Sequence, residues 1–380
     1  MKALSAIVLV LLCLCPGYSW SQDRTPLKNE FGKEAGTIDV KKFFKETSIT
    51  DTAVLIDTEA MLRQIDGVLE YFHKQQTNDP SVVNAGIFSQ LGITLEDVEA
   101  ALRFIKEVIK EDKEKGVPSR LQDPRFLREH FRVFRWYPYR RGSTRDQIRI
   151  TKYRVFTIKG SKNKDSIYRY ALYRLPADEA GMTLKEAEKH RQHLDRYKYT
   201  KQQVLAGAYD DGGAEPLIWL TRKGLEEALM EGSICVELAD GEKQFFNVDR
   251  NNGIRFDRAI KNPWDQQRYW YFGRVQQPQG YGMDIRSQLP IFPDVAFAGD
   301  VYNLGLGKLM GISYKDSLDG KQKLRLGILA DTGGAFTPNL SQLDYYAGIF
   351  PSRRTFTGRT KRLPNYADVY FFCLRRARGS

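Results

Sequence analysis

The chain reads as a mainly β protein with helices near its N-terminus, and three observations predict this. Short apolar-alternating runs fill the second half, Gly-, Asn- and Asp-rich turns separate them, and two earlier segments repeat apolar residues at helical spacing. Aromatic residues make up 12% of the 380 residues, with 20 Tyr and 21 Phe, so material for a packed core is plentiful. Once an N-terminal leader is removed, roughly 360 residues remain, which at about 100 to 200 per domain predicts two domains.

The leader is Met1 to Ser21. Lys2 precedes an apolar run, Ala6 to Leu14, and Ser19-Trp20-Ser21 supplies a small-x-small cleavage pattern, as in a secretory signal peptide. The run is too short to span a membrane, and no later segment has the length of a transmembrane helix. Leu12 before Cys13 and Leu14 before Cys15 do not make a lipobox. A soluble exported protein is expected, with association to an outer membrane as the alternative. Cleavage leaves Cys235 and Cys373, which permit at most one disulfide and read as free thiols. It also leaves 58 basic against 47 acidic residues. Outside the cytoplasm such a balance favours anionic wall polymers. The basic residues are interspersed with acids, so nucleic acid is not an expected partner.

In chain order, Gln22 to Val40 is polar and Lys-rich and reads as a poorly ordered lead-in. Val54, Leu55, Met61, Leu62, Ile65, Val68, Leu69 and Phe72 recur at helical spacing, with Asp51 or Thr58 as a cap. Thr94 and Asp97 form a capping box for a second helix whose stripe is Val98, Leu102, Ile105, Val108 and Ile109. Phe131 to Tyr137 alternates as a strand ending at Pro138, and Arg140 to Ser143 reads as a linker.

Gln147 to Ile158 and Asp165 to Leu175 read as paired strands around a Gly160 to Lys164 turn. Thr183 to Tyr197 is a polar helix. Its His190 and His193 share a face but lack further ligands, since His73 and His130 are distant in sequence. A solvated face is the reading, and neither a metal nor a cofactor is expected. Pro216 to Leu220 is a buried strand, Gly224 to Met230 a helix, and Asp240-Gly241 the turn of a hairpin between Ile234 to Leu238 and Phe245 to Val248. Val295 to Ala298, Gly307 to Ser313, Leu324 to Ala330 and Asp368 to Leu374 are short strands among glycine turns, which argue for a small barrel.

The chemistry is expected in Leu324 to Gly348. Leu324, Leu326 and Ile328 alternate with Arg325 and Gly327, so Asp331 arrives at a strand end. Gly333 and Gly334 then allow a tight turn and close approach to a ligand. Asp344 follows among Tyr345 and Tyr346, where partial burial would raise a carboxyl pKa toward that of a working acid and tyrosine rings could stack on a sugar. The same residues would also serve as turn caps and core filling.

Asp300, Leu304-Gly305, Ala330-Asp331-Thr332-Gly333-Gly334-Ala335 and Asp344-x-Tyr346-x-Gly348, taken together, resemble the barrel segment of the membrane-bound lytic murein transglycosylase A family. Glu231-Gly232-Ser233 resembles that family's Gln-Gly-Ser, Asn251-Asn252-Gly253 its Lys-Asn-Gly, and Phe134 to Pro138 with Ala171 to Pro176 its aromatic-Pro strand and Pro-Leu-Tyr-x-x-Pro. The resemblance implies a double-psi β-barrel domain interrupted by a second β-rich domain, with a substrate groove between them. Carried over, residues 22–139 and 274–376 form the barrel domain and 140–273 the insert. The implied partner is the peptidoglycan glycan strand, met by a monomer in the periplasm.

The resemblance further implies a lytic transglycosylase. Such an enzyme closes the muramyl C6 hydroxyl onto C1, giving 1,6-anhydromuramyl ends, so one carboxyl suffices as acid and then base, where ordinary glycosidases employ two. Asp344 takes that position, with Asp331 either raising its pKa by like charge or holding the loop. Glu231, Gly232, Ser233, Thr332, Gly333, Gly334, Tyr137, Tyr345 and Tyr346 are the implied substrate contacts, and Arg135 and Arg353 would meet the carboxylates of the peptide stems. The chain departs from the family where Glu231 replaces Gln and Arg135-Trp136 replaces Thr-Gly. A hydrolase using a second carboxylate and a non-catalytic wall-binding protein therefore stand as alternatives.

Overall fold

A computed structural model describes residues 24–139, 145–257, 259–336 and 338–376. The leader and the Arg140 to Ser143 linker lie outside the described residues. The helix Leu95–Glu114 starts as its sequence predicts: Thr94 Oγ1 accepts from the Asp97 N–H while Asp97 accepts from the Thr94 N–H, and Val98, Leu102, Ile105, Val108 and Ile109 are buried. The helix Thr58–Gln75 is capped instead by Asp57, which accepts from the Ala60 N–H at 2.9 Å. Both helices pack on the sheet. Among the described residues no helix is long and apolar enough to cross a membrane.

Sixteen strands are described. The first five are β1 (Arg24–Lys28), β2 (Glu34–Asp39), β3 (Phe44–Thr47), β4 (Ala53–Leu55) and β5 (Phe131–Trp136). From Arg24 onward the lead-in is therefore ordered. β1 and β2 form a hairpin that buries Leu27 and Ile38, and the Asn303 side chain bonds both the N–H and the carbonyl of Lys28. Val54 and Leu55, expected in a helix, run in β4 beside Leu324 and Arg325. A parallel neighbour that buries the β-branched Val54 outweighs the local helical spacing.

Next come β6 (Ile148–Ser161), β7 (Tyr170–Tyr173), β8 (Pro216–Leu220), β9 (Ser233–Glu237), β10 (Lys243–Asn251) and β11 (Trp270–Val275). β6 and β7 do not pair with each other as expected. β8, whose Ile218 and Leu220 are fully buried, lies between them. The β9–β10 hairpin turns at Asp240-Gly241 as the sequence predicts, with Gly241 at φ +84°. The polar helix is shorter than expected, Leu184–Lys189, and His190 and His193 lie exposed beyond it.

The last strands are β12 (Ala296–Ala298), β13 (Leu309–Lys315), β14 (Gln322–Asp331), β15 (Gln342–Phe350) and β16 (Tyr366–Leu374). Pairings β6–β15, β15–β12, β12–β14, β14–β13, β13–β16 and β16–β6 return to their start, so these six strands close into a barrel. Its core includes Leu324, Leu326 and Ile328, the alternating residues of the sequence reading, together with Ile150, Val155, Phe297 and Val369. A second core gathers Phe156, Ile218, Leu225, Val236 and Phe272. β6 runs from the first core into the second between Val155 and Phe156. Cys235 and Cys373 are free thiols.

Candidate active site

The shortest barrel strand places both aspartates. Ala298 of β12 pairs with Asp331 of β14 on one side and with Asp344 of β15 on the other. Residues directly opposite in a sheet share a face, so the two carboxyls stand on one face with only a methyl group between them, roughly 10 Å apart at Cα. β15 itself is an element that the sequence reading did not assign. Its Tyr346-x-Gly348 is explained by a register shift between Tyr346 and Ile349, where Gly348 takes φ +110°, a conformation that favours glycine.

The two carboxyls differ in their partners. Asp331 accepts from the Tyr153 hydroxyl at 2.8 Å and from the Thr332 N–H at 2.7 Å. Burial still pushes its pKa up to about 7, against those two bonds and with a further upward push from Asp344. Asp344 has a buried Oδ1 without any hydrogen-bond partner. Burial pushes it up to about 7 as well, opposed by Arg149 and Lys152 and assisted by Glu231. Burial is thus the main cause of the rise at Asp331, and Asp344 adds to it less.

The loop between them is tethered. Thr332 donates its hydroxyl to the Gly299 carbonyl at 2.8 Å, and the fully buried Asp300 accepts from the Asn303 side chain and from the Asn339 N–H at 2.9 Å. Burial raises Asp300 to about 6. Gly333 and Gly334 are exposed in the expected tight turn, closed by the Phe336 N–H donating to the Gly333 carbonyl at 3.0 Å, and with neither φ positive it is their bareness that provides space. A Cβ on Gly334 would stand 3.3 Å from the Arg268 guanidinium, which stacks on Trp270.

Other expected contacts separate into those near the acid and those turned away. Glu231 closes the helix Arg222–Glu231, is held by Arg154 at 3.0 Å, and is raised by burial. Gly232 takes φ +77° as the C-cap of that helix, and the Ser233 hydroxyl is bound to Asn247. Tyr345 does not form a stacking wall: it alternates to the other face of β15, is 4% exposed, and donates its hydroxyl to Asp294. Tyr346 shares the face of Asp344 but is 1% exposed, packed against the Tyr153 ring at 5.1 Å, so it backs the site without offering a surface. Tyr137 lies under the cations of Arg135 and Lys45, and Arg135 is paired with Asp368 at 2.9 Å.

Tyr153, Arg149, Lys152 and Arg268 were not among the residues singled out from sequence. For the first three the signal was the cluster of basic and aromatic residues within Arg149 to Phe156, whose strand β6 runs parallel to β15, with Thr151 beside Asp344 and Tyr153 beside Tyr346.

The fold is the mainly β one of lytic murein transglycosylase structures. It is similar to a membrane-bound lytic murein transglycosylase from Agrobacterium tumefaciens, with TM-score 0.61 and 17% identity over 88% of this chain and 98% of that one. It is also similar to Escherichia coli MltA with bound chitohexaose, with TM-score 0.57 and 14% identity over 88% and 95% of the two chains. MltA from Neisseria gonorrhoeae gives TM-score 0.52 and 14% identity over 84% and 89%. At these identities the likeness is one of fold. No protein-family model and no curated protein matches the chain.

Proposed function

We propose that the protein is a peptidoglycan lytic transglycosylase, cleaving the MurNAc-GlcNAc β-1,4 bond with formation of 1,6-anhydromuramyl ends. The observation that carries this is Asp344, a carboxyl withdrawn from water, raised to about 7, with an oxygen that no protein group satisfies. Protonated, it donates to the leaving glycosidic oxygen. Ionised by that transfer, it then takes the proton of the muramyl C6 hydroxyl as that oxygen closes on C1. Asp331, fixed by Tyr153 and Thr332, orders the loop whose Gly333 and Gly334 leave room for a sugar.

In this reading the six-stranded ring is the double-psi barrel, and the groove lies between it and the insert. The change of core between Val155 and Phe156 supports placing the start of the insert within β6, after residue 140. Acting on the wall, the monomer would work in the periplasm, to which the leader of residues 1–21 would direct it.

The hydrolase reading has one specific support, the upward push of Glu231 on Asp344, but the Arg154 ion pair argues against Glu231 as a free base. Incubation with peptidoglycan sacculi followed by mass spectrometry separates the readings. Anhydro-muramyl products are expected. Reducing ends would indicate hydrolysis, and pelleting without release a binding protein.

A further inference from the structure

The β1–β2 hairpin pairs with no other strand among the described residues, and two strands alone are marginally stable in water. Besides burying Leu27 and Ile38 in the main core, it sends hydrogen bonds from both strands toward the loop that joins Asp331 to Asp344. We propose that the hairpin positions Asp344, with Asn303 and Tyr139 as the two positioning residues that carry its hold to the start of β15. This rests on the transglycosylase reading and adds to it an element from the far end of the chain.

The first hold runs through Asn303. Its side chain accepts from the Lys28 N–H at 2.8 Å and donates to the Lys28 carbonyl at 2.9 Å, closing a pair of bonds on β1. The same amide nitrogen donates to Asp300, and Asp300 Oδ2 accepts from the Asn339 N–H at 2.9 Å. Asn303 and Asp300 are 3% and 0% exposed, so water does not compete for these bonds. Movement of β1 is thereby passed to Asn339 through two buried side chains.

The second hold runs through Tyr139. Its hydroxyl donates to the Thr37 carbonyl of β2 at 2.8 Å. Its N–H donates to the Leu340 carbonyl at 2.9 Å, and its own carbonyl accepts from the Ser341 hydroxyl at 2.9 Å. Residues 339–341 are therefore held from both strands of the hairpin. β15 begins at the next residue, Gln342, and Asp344 lies two further on. The turn of the hairpin faces the same loop: Glu30 acts electrostatically on Asp300 and on Arg268, whose guanidinium lies beside Gly334. A reacting group displaced by about 1 Å costs about 100-fold in rate, so a fixed start to β15 bears directly on the chemistry.

The test places Asn303→Ala and Tyr139→Phe in the full chain and reads hydrogen–deuterium exchange by mass spectrometry together with the pH profile of anhydro-muramyl release. Asn303→Ala should speed exchange roughly tenfold in peptides from 24–39 and 338–343, the equivalent of one or two hydrogen bonds, and leave the other barrel strands unchanged. Its kcat should fall about 10-fold to 100-fold. The limb set by Asp344 should move to lower pH, because a strand start freed from the hairpin admits water to the acid. Arg149, Lys152 and Glu231, the charges that act on Asp344, are unaltered in either variant. A purely structural role would lower the amount of active protein and leave the limb in place. Tyr139 is 38% exposed, so Tyr139→Phe spares the core and should give the same changes at smaller size, about threefold in kcat. Unchanged exchange in 338–343, or an unmoved limb, overturns the proposal, and if Asn303→Ala does not fold, Tyr139→Phe decides alone. If the unaltered protein releases no anhydro-muramyl ends, the transglycosylase reading fails and the exchange of 338–343 decides whether the hairpin holds the loop.

Discussion

Glu179 and Asp344 are both carboxylic acids withdrawn from water, and the protein treats them in opposite ways. Glu179 is 1% exposed and accepts from Arg196 at 2.6 Å and Arg250 at 2.5 Å, one guanidinium for each oxygen. Asp344, at the edge of the barrel, has the cations Arg149 and Lys152 near enough to act on it but a buried oxygen that bonds to nothing. A paired buried charge serves the scaffold, because removing one partner strands the other. An unpaired one makes its surroundings less stable and is kept where a proton must be held and released.

The largest expected effect comes from breaking the unpaired member. Asp344→Asn should lower anhydro-muramyl release by about 100-fold to 10,000-fold, the range of a general acid-base group, as followed by mass spectrometry of sacculus digests. Full release by this variant would dismiss Asp344 as the acid. Stability should move the other way. With a folded pKa of about 7 against an ordinary aspartate value of about 4, the native state holds a proton that the unfolded chain has lost between about pH 4 and 7, so stability falls as pH rises through that window. Asparagine lacks this dependence. The variant should be the more stable protein at pH 8, by about 1 to 2 kcal/mol once partial solvent access is allowed for, as read from denaturant midpoints at pH 5 and pH 8.

Breaking the paired member should cost stability. Glu179→Ala leaves two guanidinium groups buried without an acceptor and is expected to destabilise by about 3 to 5 kcal/mol, measurable by urea unfolding. A loss below about 1 kcal/mol would mean that the pair does not carry its region.

Two smaller changes sharpen the contrast. Tyr153→Phe removes the hydroxyl that favours ionised Asp331, so the Asp331 pKa should rise further, and kcat/KM should fall about tenfold, in line with one hydrogen bond to a charged group. Carboxyl NMR titration would detect the shift, and an unmoved Asp331 would count against this coupling. Glu231→Gln removes an upward push on Asp344, so the pH-rate limb set by Asp344 should move down by less than about one unit, with anhydro products retained. Loss of all cleavage would instead give Glu231 a direct part in the chemistry.

Much of the scaffold was legible because it rests on local rules. The Thr94–Asp97 capping box, the Asp240-Gly241 hairpin and the alternation of Leu324, Leu326 and Ile328 each concern residues a few positions apart. Asp331 and Asp344 could likewise be singled out from a strand end followed by a glycine pair and a carboxylate among aromatics. Local reading failed where a distant partner decided the outcome. Val54 and Leu55 follow a helical spacing but pair with β14, and β1 and β2 look like a charged tail until the Asn303 side chain binds Lys28.

By itself, then, the sequence determined which residues carry the candidate chemistry and that they sit in a mainly β chain with helices at one end. Only the tertiary structure decided what those residues face. The pairing of β12 with both β14 and β15 puts the two carboxyls on one face, on either side of Ala298, and the pairing of β6 with β15 brings Tyr153 to Asp331. It also turned Tyr345 away from the site and buried Tyr346 within it. The physical reason is that a carboxyl's pKa and a ring's availability depend on burial and on nearby charges. Here those are supplied by strands that are neighbours in the sheet but remote along the chain.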